Sequence, residues 1–477
     1  MKRIKTASSK QKIGFKGMVY SIDERILGME YCPNSYNFTF RGGVLKSDLG
    51  VDTAGGHYSK DEVLRHNFAP MPDGQKVKDV FVYHRRLKGV YDDRLVAQTT
   101  SGNFYVTGIF KPDGWTKIED ITTSEDVCAV SYNYNDKDVL LISGEDIGLM
   151  IYDVNSVTKV ENGPGFSSIA IHYERVFGVV NGKKNQVWFS SVLDPTNWTV
   201  SGENAGYINF QDECGEVEEV VSFLGYLYIF REHGIFRLTA YGDQSEFSLK
   251  KVFTDTGRIY KNTIALAGNK IMFYTDGGIY VFDGYNVSKL NMEIPTIFVP
   301  QYVCGAYFED KYYLCCKMDH EGFYTEVRDN TAILEYDLKE KVLSIFAPFD
   351  VKKLVPMNVH HATDLLVVPN GEYNDRIGMI VPRGVCFSNP TTKFYRTPYN
   401  DLGTDKVKII REMTVTTKYP LTVTVVYDGQ ERTFEFEGSK APQKVYVDRC
   451  GMQIGFKIST SSESALVAPI IVKIDSM

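Results

Sequence analysis

The chain has 477 residues, of which 43% are hydrophobic and 13% aromatic. This is enough for a large buried core in two or three domains, or in one repeat domain with an appendage. A formal net charge of −7 excludes an overall electrostatic attraction to nucleic acid or to an anionic membrane.

The basic start, MKRIKTASSKQKIGF, has no apolar core and cleavage site behind it, and the longest apolar runs are too short to cross a bilayer. We therefore expect a soluble protein without membrane insertion. Frequent tyrosine, phenylalanine, β-branched residues and glycine favour strands joined by tight turns. Residues 1–78 are predicted as an N-terminal strand segment and linker, in which Asp61–Phe68 is the best helical candidate.

Residues 79–403 contain a loose repeat of 40 to 50 residues, the length of a four-stranded propeller blade. The clearest hairpins are REHGIFRL and TDGGIYVF, in which Gly234 and Gly277-Gly278 supply the turn. The pattern predicts a β-propeller of six to seven irregular blades. A seventh unit runs from Asp364 to about Tyr399, or its strands complete the ring with the N-terminal segment. The six clear units begin at Asp79, Asp126, Ser167, Gly215, Arg258 and Tyr302.

After about Thr404 the pattern changes to six or seven alternating strands separated by short turns. VTVVYDGQERTFEF is a β-hairpin around Asp428-Gly429. Residues 404–477 are predicted to form a separate, small immunoglobulin-like β-sandwich.

No motif for a phosphate loop, a dinucleotide site, a nucleophile elbow or a zinc helix is present. The 8 cysteines show no CxxC pairing, which favours reduced, mostly buried thiols. Cys315 and Cys316 are neighbours in a strand and point to opposite faces, so they favour core packing over a shared metal. His360-His361 favours an exposed loop pair. We predict no catalytic, cofactor-binding or metal site.

Acidic clusters such as Asp136/Asp138 and Glu145/Asp146 are candidates for the two acids of a propeller glycosidase. Both lie in predicted turns, where carboxylates are usually solvated or cap backbone amides. We therefore do not expect an enzyme.

A basic stretch, YHRRLKGVYDDR, places Arg85, Arg86 and Lys88 beside Asp92 and Asp93. This favours an internally compensated surface turn over a phosphate-binding patch.

The stretch VWFSSVLDPTNWTV, residues 187–200, combines a strand, an Asp194-Pro195 turn and Trp198. It predicts the outer hairpin of a blade, with Trp198 as a packing wedge rather than a platform for a ligand. The stretch only weakly echoes the Asp-box of sialidases, because Ser191 is one residue too far from Asp194 and Thr196 replaces the glycine.

Three segments carry a resemblance to a known family. YCPNSYNFTFRGGVLKSDLGVD, with Asn37, Gly43, Leu45 and Gly50, is similar to the opening signature of certain bacteriophage virion proteins. RVFGVVNGKKNQVWFSSVLDPTNWT resembles their blade segment, and the sandwich after Thr404 resembles their closing module. The family is that of short-tailed phage tail nozzle, tail-tubular and packaged-DNA-stabilising hub proteins. The chain departs from its larger members by lacking long insertions.

The resemblance implies a virion tail protein, assembled in the host cytoplasm into a homo-oligomeric, six-fold ring on the adaptor below the portal. Tail fibre proteins would be further partners. Genomic DNA would pass through the ring without sequence-specific binding, during DNA retention and ejection, and an acidic chain repels the phosphates.

Two other functions remain open. One is a propeller-based module that binds a bacterial surface glycan through aromatics such as Trp115 or Trp198. The other is a propeller hydrolase or lyase.

Overall fold

The computed structural model describes residues 7–476 apart from 21, 56–66, 111, 202–203, 255–256, 292–293, 295, 299–301, 319–329 and 361. This part of the chain is all-β, and its only helical elements are short 3-10 turns. No helix in it is long and apolar enough to span a membrane. The predicted fold class is confirmed: a seven-bladed β-propeller carries a β-sandwich. The helix predicted at Asp61–Phe68 lies almost entirely outside the described residues.

Blades 1 to 6 are each built from consecutive antiparallel strands, innermost first, because each hairpin turn returns the chain beside the strand that it has just left. Blade 1 has Val77–Tyr83, Arg94–Thr99, Asn103–Gly108 and Thr116–Thr122; blade 2 has Val127–Tyr134, Lys137–Gly144, Gly148–Tyr152 and Val157–Lys159; blade 3 has Phe166–His172, Arg175–Val180, Gln186–Phe189 and Gly206–Asn209. Blade 4 has Val217–Phe223, Tyr226–Arg231, Gly234–Thr239 and Ser248–Thr254; blade 5 has Ala265–Ala267, Lys270–Thr275, Gly278–Phe282 and Val287–Lys289; blade 6 has Cys304–Phe308, Lys311–Met318, Ala332–Asp337 and Val342–Phe346, with Ile297–Phe298 beside its second strand.

Blade 7 is completed by a strand from near the chain's beginning. Val351–Val359, Ala362–Pro369 and Gly378–Val381 are its first three strands, and Gly50–Thr53 pairs with the third. The seventh unit therefore starts before Asp364, and the N-terminal segment completes it. The short strands Val385–Cys386 and Asn389–Pro390 extend this sheet.

The ring is closed by apolar side chains that pack between neighbouring blades. At the closure, Val80 and Leu95 of blade 1 share a buried cluster with Met357 of blade 7. Similar clusters lie between the other neighbouring blades of the described chain. Burial of apolar area at every boundary holds the blades in one body.

The sandwich contains strands from both ends of the chain. One sheet holds Ser439–Gly451, Lys408–Thr417, Ile470–Ser476, Ala7–Ile13, Leu466–Val467, Val44–Lys46 and Thr39–Arg41. The other holds Asn34–Tyr36, Lys393–Arg396, Ile454–Thr460, Leu421–Tyr427 and Gln430–Phe436. The expected hairpin at Asp428-Gly429 joins the last two of these strands.

The domain boundaries differ from those expected at 78/79 and 403/404. Four strands from residues 7–46 belong to the sandwich, whereas Gly17–Met18 and Tyr31–Cys32 form a small parallel sheet of their own. Lys393–Arg396 lies in the sandwich rather than in the propeller. The physical reason is burial: Phe15, Phe38 and Phe40 of the N-terminal segment fill the same core as the C-terminal strands. Residues 404–477 alone would leave that core uncovered.

Asn37 fastens the sandwich to the propeller. Its side-chain Oδ1 accepts from the amide of Ala347, which follows the last strand of blade 6, at 2.9 Å. Its Nδ2 donates to the carbonyls of Ala347 (2.6 Å) and Thr392 (2.7 Å). Arg41 adds an ion pair to the buried Glu335 of blade 6 at 2.8 Å. Asn37 itself is buried and has a φ of 59°, a conformation that asparagine tolerates better than most residues.

Replacing Asn37 by alanine is expected to lower the free energy of unfolding by about 2 to 4 kcal/mol, because buried backbone groups lose their partners. Hydrogen exchange should show a loss of protection at the amide of Ala347. Asn135→Ala is the matched control, since Asn135 also has a positive φ of 50° but is exposed. Equal destabilisation by both variants would contradict the role of the side-chain hydrogen bonds.

Candidate functional site

The inner strands of all blades begin at the same end of the ring, because each outer strand returns the chain to that end. Their first residues therefore gather around the channel that runs along the propeller axis. We call the charged residues at this opening the axial ring. Its described members are Lys78 and Asp79 of blade 1, Asp126 before blade 2, Glu218 and Glu219 of blade 4, Lys261 before blade 5, and Lys352 and Lys353 of blade 7.

A repeated β-bulge positions this ring. In blades 1, 3, 4 and 7 the ladder register shifts at the second residue of the inner strand, at Lys78, Ser167, Glu218 and Lys352. A bulge inserts one unpaired residue and so breaks the strict alternation of side chains. Two consecutive polar residues can then face the channel between two apolar residues.

The sequence signal for this ring is an apolar–polar–polar–apolar tetrad, VKDV, FSSI, VEEV and VKKL, at the start of four inner strands. The repeat units predicted from the sequence begin inside two of these tetrads, at Asp79 and Ser167, and shortly before a third, at Gly215. The common tetrad therefore did not stand out, and the axial ring was not predicted. A tetrad of this kind also breaks the two-residue period by which strands are recognised.

Ion pairs and hydrogen bonds of the axial ring cross blade boundaries. Lys353 of blade 7 pairs with Asp79 of blade 1 at 2.5 Å, and Lys78 pairs with Asp126 at 2.7 Å. The ammonium of Lys261, at the start of blade 5, donates to the carbonyl of Ser167 in blade 3. One lysine side chain therefore spans from blade 5 past blade 4 to blade 3, and the channel opening is narrow.

Glu219 is the unusual titrating group of the ring. Burial raises the pKa of its carboxyl to about 7, although the charges of Lys261 and Lys353 act in the opposite direction. The neighbouring Glu218 adds to the increase in the Glu219 pKa. Glu218 itself pairs with Arg258 at 2.9 Å, beside a cavity of about 170 Å³ that Lys261 also lines.

The arrangement suits a closed, charge-balanced end of a rigid ring. Four lysines and four carboxylates make up the axial ring in the described part of the chain. Among the described residues, no group of three or more His, Cys, Asp or Glu side chains is placed so that it could hold a metal ion.

The two acidic pairs noted in the sequence lie at opposite ends of blade 2. Asp136 lies in the turn before the strand Lys137–Gly144, and Asp138 is the second residue of that strand. Glu145 and Asp146 follow the end of the strand. An eight-residue strand separates its ends by roughly 25 Å. Paired carboxylates of a glycosidase lie within about 10 Å of each other, so an acid of one pair cannot act together with an acid of the other pair on one bond.

The basic stretch is compensated, as predicted. Asp92 pairs with Arg85 at 2.6 Å and with Arg94 at 3.1 Å. The guanidinium of Arg86 lies over the ring of Tyr91. The ring of His360 also stacks on that of Tyr91, with 3.7 Å between the ring centroids. His361 lies outside the described residues.

The thiols of Cys315 and Cys316 are buried in different apolar clusters on the two sides of their strand. Burial raises the pKa of both thiols. The prediction of core packing is confirmed.

Trp198 is a packing wedge, as predicted. It is 4% exposed, its indole NH donates to the carbonyl of Pro195 at 2.8 Å, and its ring lies 4.9 Å from that of Phe166. The wedge fills the boundary between blades 2 and 3. Asp194 accepts from the amide of Thr196 at 2.9 Å and so fixes the preceding turn.

Trp115 is half-buried against Phe68, and its indole NH donates to the carbonyl of Ala69 at 2.8 Å. Trp198 is therefore not available for stacking on a sugar, and the indole NH of Trp115 is already engaged.

No family model and no curated protein matches the chain. Its structure is similar to that of BBS1N in complex with ARL6DN, soaked with mercury, with a TM-score of 0.41 and 10% identity over 73% of this chain and 97% of that chain. It is also similar to the computationally designed Ika8 protein, with a TM-score of 0.40 and 8% identity over 66% of this chain and 98% of that chain. These likenesses do not bear on function.

Replacing Trp198 by alanine is expected to cost about 3 to 5 kcal/mol of stability, because it leaves a large cavity between two blades. Denaturant unfolding followed by circular dichroism measures the loss. Trp188→Ala is the control in the same blade: Trp188 is half-buried, so its loss should be clearly smaller. An unchanged melting temperature of Trp198→Ala would contradict the wedge.

Glu219 makes stability depend on pH. Its folded pKa lies above the ordinary 4.5, so the folded state binds protons more strongly, and the free energy of unfolding should fall as the pH rises from about 4.5 to about 7. Glu219→Gln should remove this decline, measured by denaturant unfolding at pH 5 and pH 8.

Carbon-13 NMR of the carboxyls should find a titration with a midpoint near 7 that is missing in Glu219→Gln. Lys353→Met should move this midpoint upward, because the charge of Lys353 favours the ionised carboxyl. A midpoint near the ordinary 4.5 in the unchanged protein would refute the burial effect.

Proposed function

We propose that this protein is a structural virion protein of a short-tailed phage, a nozzle or hub subunit of the tail. Copies of the chain form a ring on the adaptor below the portal, and the ring extends the conduit for DNA and serves in DNA retention and ejection. The role requires no catalysis. The proposal rests on the structural roles of the four residues of the opening signature, which are Asn37, Gly43, Leu45 and Gly50.

Each signature residue has a structural role in the sandwich, in blade 7 or at the contact between the two domains. Asn37 makes the hydrogen bonds between sandwich and propeller. Gly43 has a φ of 72° in the turn between two sandwich strands, and Leu45 is fully buried in the sandwich core. At Gly50 a Cβ atom would lie 2.1 Å from the carbonyl oxygen of Arg383, so only glycine fits where blade 7 is completed.

The second resembling segment also has a structural role. Arg175 is buried, donates to the carbonyl of Ser190 at 2.8 Å and lies over the ring of Phe189. Trp198 closes the same segment against blade 2. A component that retains DNA under pressure needs a body that does not deform, and these contacts supply one.

The axial ring bears on the path of the DNA. A channel that one lysine side chain spans leaves no passage for a double helix through a single propeller. In the proposed assembly the conduit therefore lies between copies of the chain, and not along the propeller axis.

Quantitative mass spectrometry of purified phage particles tests the proposal. We expect this chain in the particle at about half the copy number of a dodecameric portal, as for a six-fold ring. The major capsid protein is the internal reference, and a host protein of equal abundance in the lysate is the control for carry-over. Absence of the chain from particles would refute the virion role.

A further inference from the structure

An exposed apolar surface covers blades 3 to 5 at the end of the propeller opposite the axial ring. It consists of hairpin-tip residues, because the turns after the first and third strands of each blade all lie at this end. We call it the tyrosine patch. Its members are Tyr173 (52% exposed), Val192 (43%), Leu193 (65%), Leu224 (55%), Tyr241 (64%) and Tyr285 (68%).

The tyrosine patch is continuous from blade to blade. The rings of Tyr173 and Tyr241 meet edge to face at 5.2 Å, and the Tyr173 hydroxyl donates to the carbonyl of Gly225 beside Leu224. Arg237 lies over the ring of Tyr285. A contiguous exposed surface of tyrosine, aliphatic and arginine side chains is typical of a protein–protein interface.

Carboxylates surround the patch. The exposed acids at the tips of the same hairpins are Glu174, Asp243, Glu246 and Asp283. Arg237, its cross-strand neighbour Lys250, and Lys270 are bases on these hairpins or next to them, so the described acids outnumber them only slightly. A partner for this patch therefore needs an apolar centre and a basic surround.

The outer face of the first sandwich sheet has that composition. The register places Lys10 beside Lys473 and Lys12 beside Ile471. We call this surface the basic sheet face. Its members are Lys10, Lys12, Lys444 and Lys473 around the exposed Tyr446 and Ile471, together with two acids, Glu412, which pairs with Lys444, and Asp475, which pairs with Arg411.

The two surfaces cannot meet within one chain. Asn37 and Arg41 fix the sandwich to blade 6, whereas five of the six members of the tyrosine patch lie on blades 3 and 4. A contact between them must join two copies head to tail, and such heterologous contacts generate closed rings when the rotation closes.

We propose that the tyrosine patch of one copy docks on the basic sheet face of the next copy. The inference deepens the proposed function, because it names the surfaces that would build the ring, and it rests on that function for the ring's biological role. The contact is apolar at its centre and electrostatic at its edge, so it should weaken as the salt concentration rises.

The purified full chain tests the contact, with multi-angle light scattering and sedimentation measuring assembly at low and high salt. Lys10→Glu/Lys473→Glu reverses the charge of the basic sheet face, so that both docking surfaces of the variant are acidic. Glu174→Lys/Asp243→Lys reverses the charge around the tyrosine patch, so that both docking surfaces of that variant are basic. Each double variant alone should associate at least about tenfold more weakly than the unchanged chain, because like charges then face each other.

Mixing the two double variants should restore assembly, since each then offers the surface that the other lacks. Lys76→Glu/Lys159→Glu is the matched control, because both lysines are exposed but lie outside both surfaces. This control should assemble like the unchanged chain. Circular dichroism of every variant verifies folding.

A monomeric unchanged chain at its highest soluble concentration, or a mixture that fails to regain assembly, would overturn the contact. Saturable binding to a glycan array that Tyr173→Ala/Tyr241→Ala abolishes would also overturn it, by assigning the patch to a sugar. Particle mass spectrometry decides separately on the virion role: presence of the chain in particles with a failed mixing test would refute only the proposed contact.

Discussion

The N-terminal segment is the constraint on which the structure depends, because it supplies strands to both domains. Gly50–Thr53 covers the third strand of blade 7, and the hairpin of Thr39–Arg41 and Val44–Lys46 extends a sandwich sheet. Without these strands, backbone groups at two sheet edges would lack partners and the sandwich core would face water. Because one short segment does both tasks, ring closure and domain docking are coupled, and the two domains behave as one body.

Ring closure also determines where charged side chains meet inside the propeller. A closed ring brings the starts of all inner strands together, so side chains with no relation in sequence become neighbours around one axis. Lysines and carboxylates at these positions attract each other across blade boundaries, as Lys353 and Asp79 do. Burial of Glu219 in the same ring costs free energy in its charged form. The axial ring therefore fastens the blades at this end and carries one group that responds to protons near neutral pH.

Local signals in the sequence predicted what is local in the structure. The hairpin beside Gly234, the turn at Asp428-Gly429 and the wedge of Trp198 each depend on a few neighbouring residues, and the structure has all three, although Gly234 begins the strand and the turn itself is formed by residues 232–233. The strand Gly50–Thr53 gave no such signal, because four residues show no period and their partner lies far along the chain. The axial ring was missed for a related reason: its bulges break the alternation that identifies a strand. The exposed tyrosines of the patch are scattered over three blades, and only the closed ring places them side by side.

The distribution of charge over the faces says more about assembly than the net charge does. The value of −7 is an average over a balanced axial ring, an acidic surround of the tyrosine patch and a basic sheet face on the sandwich. In the proposed ring, two surfaces of opposite sign at different places on a rigid body would give every copy the same attractive orientation toward the next. Rigidity then matters as much as charge, because an interface angle that varied would yield open chains of mixed curvature rather than closed rings. The hydrogen bonds of Asn37 hold the sandwich against the propeller within each chain, and so link the N-terminal segment to the geometry of the proposed ring.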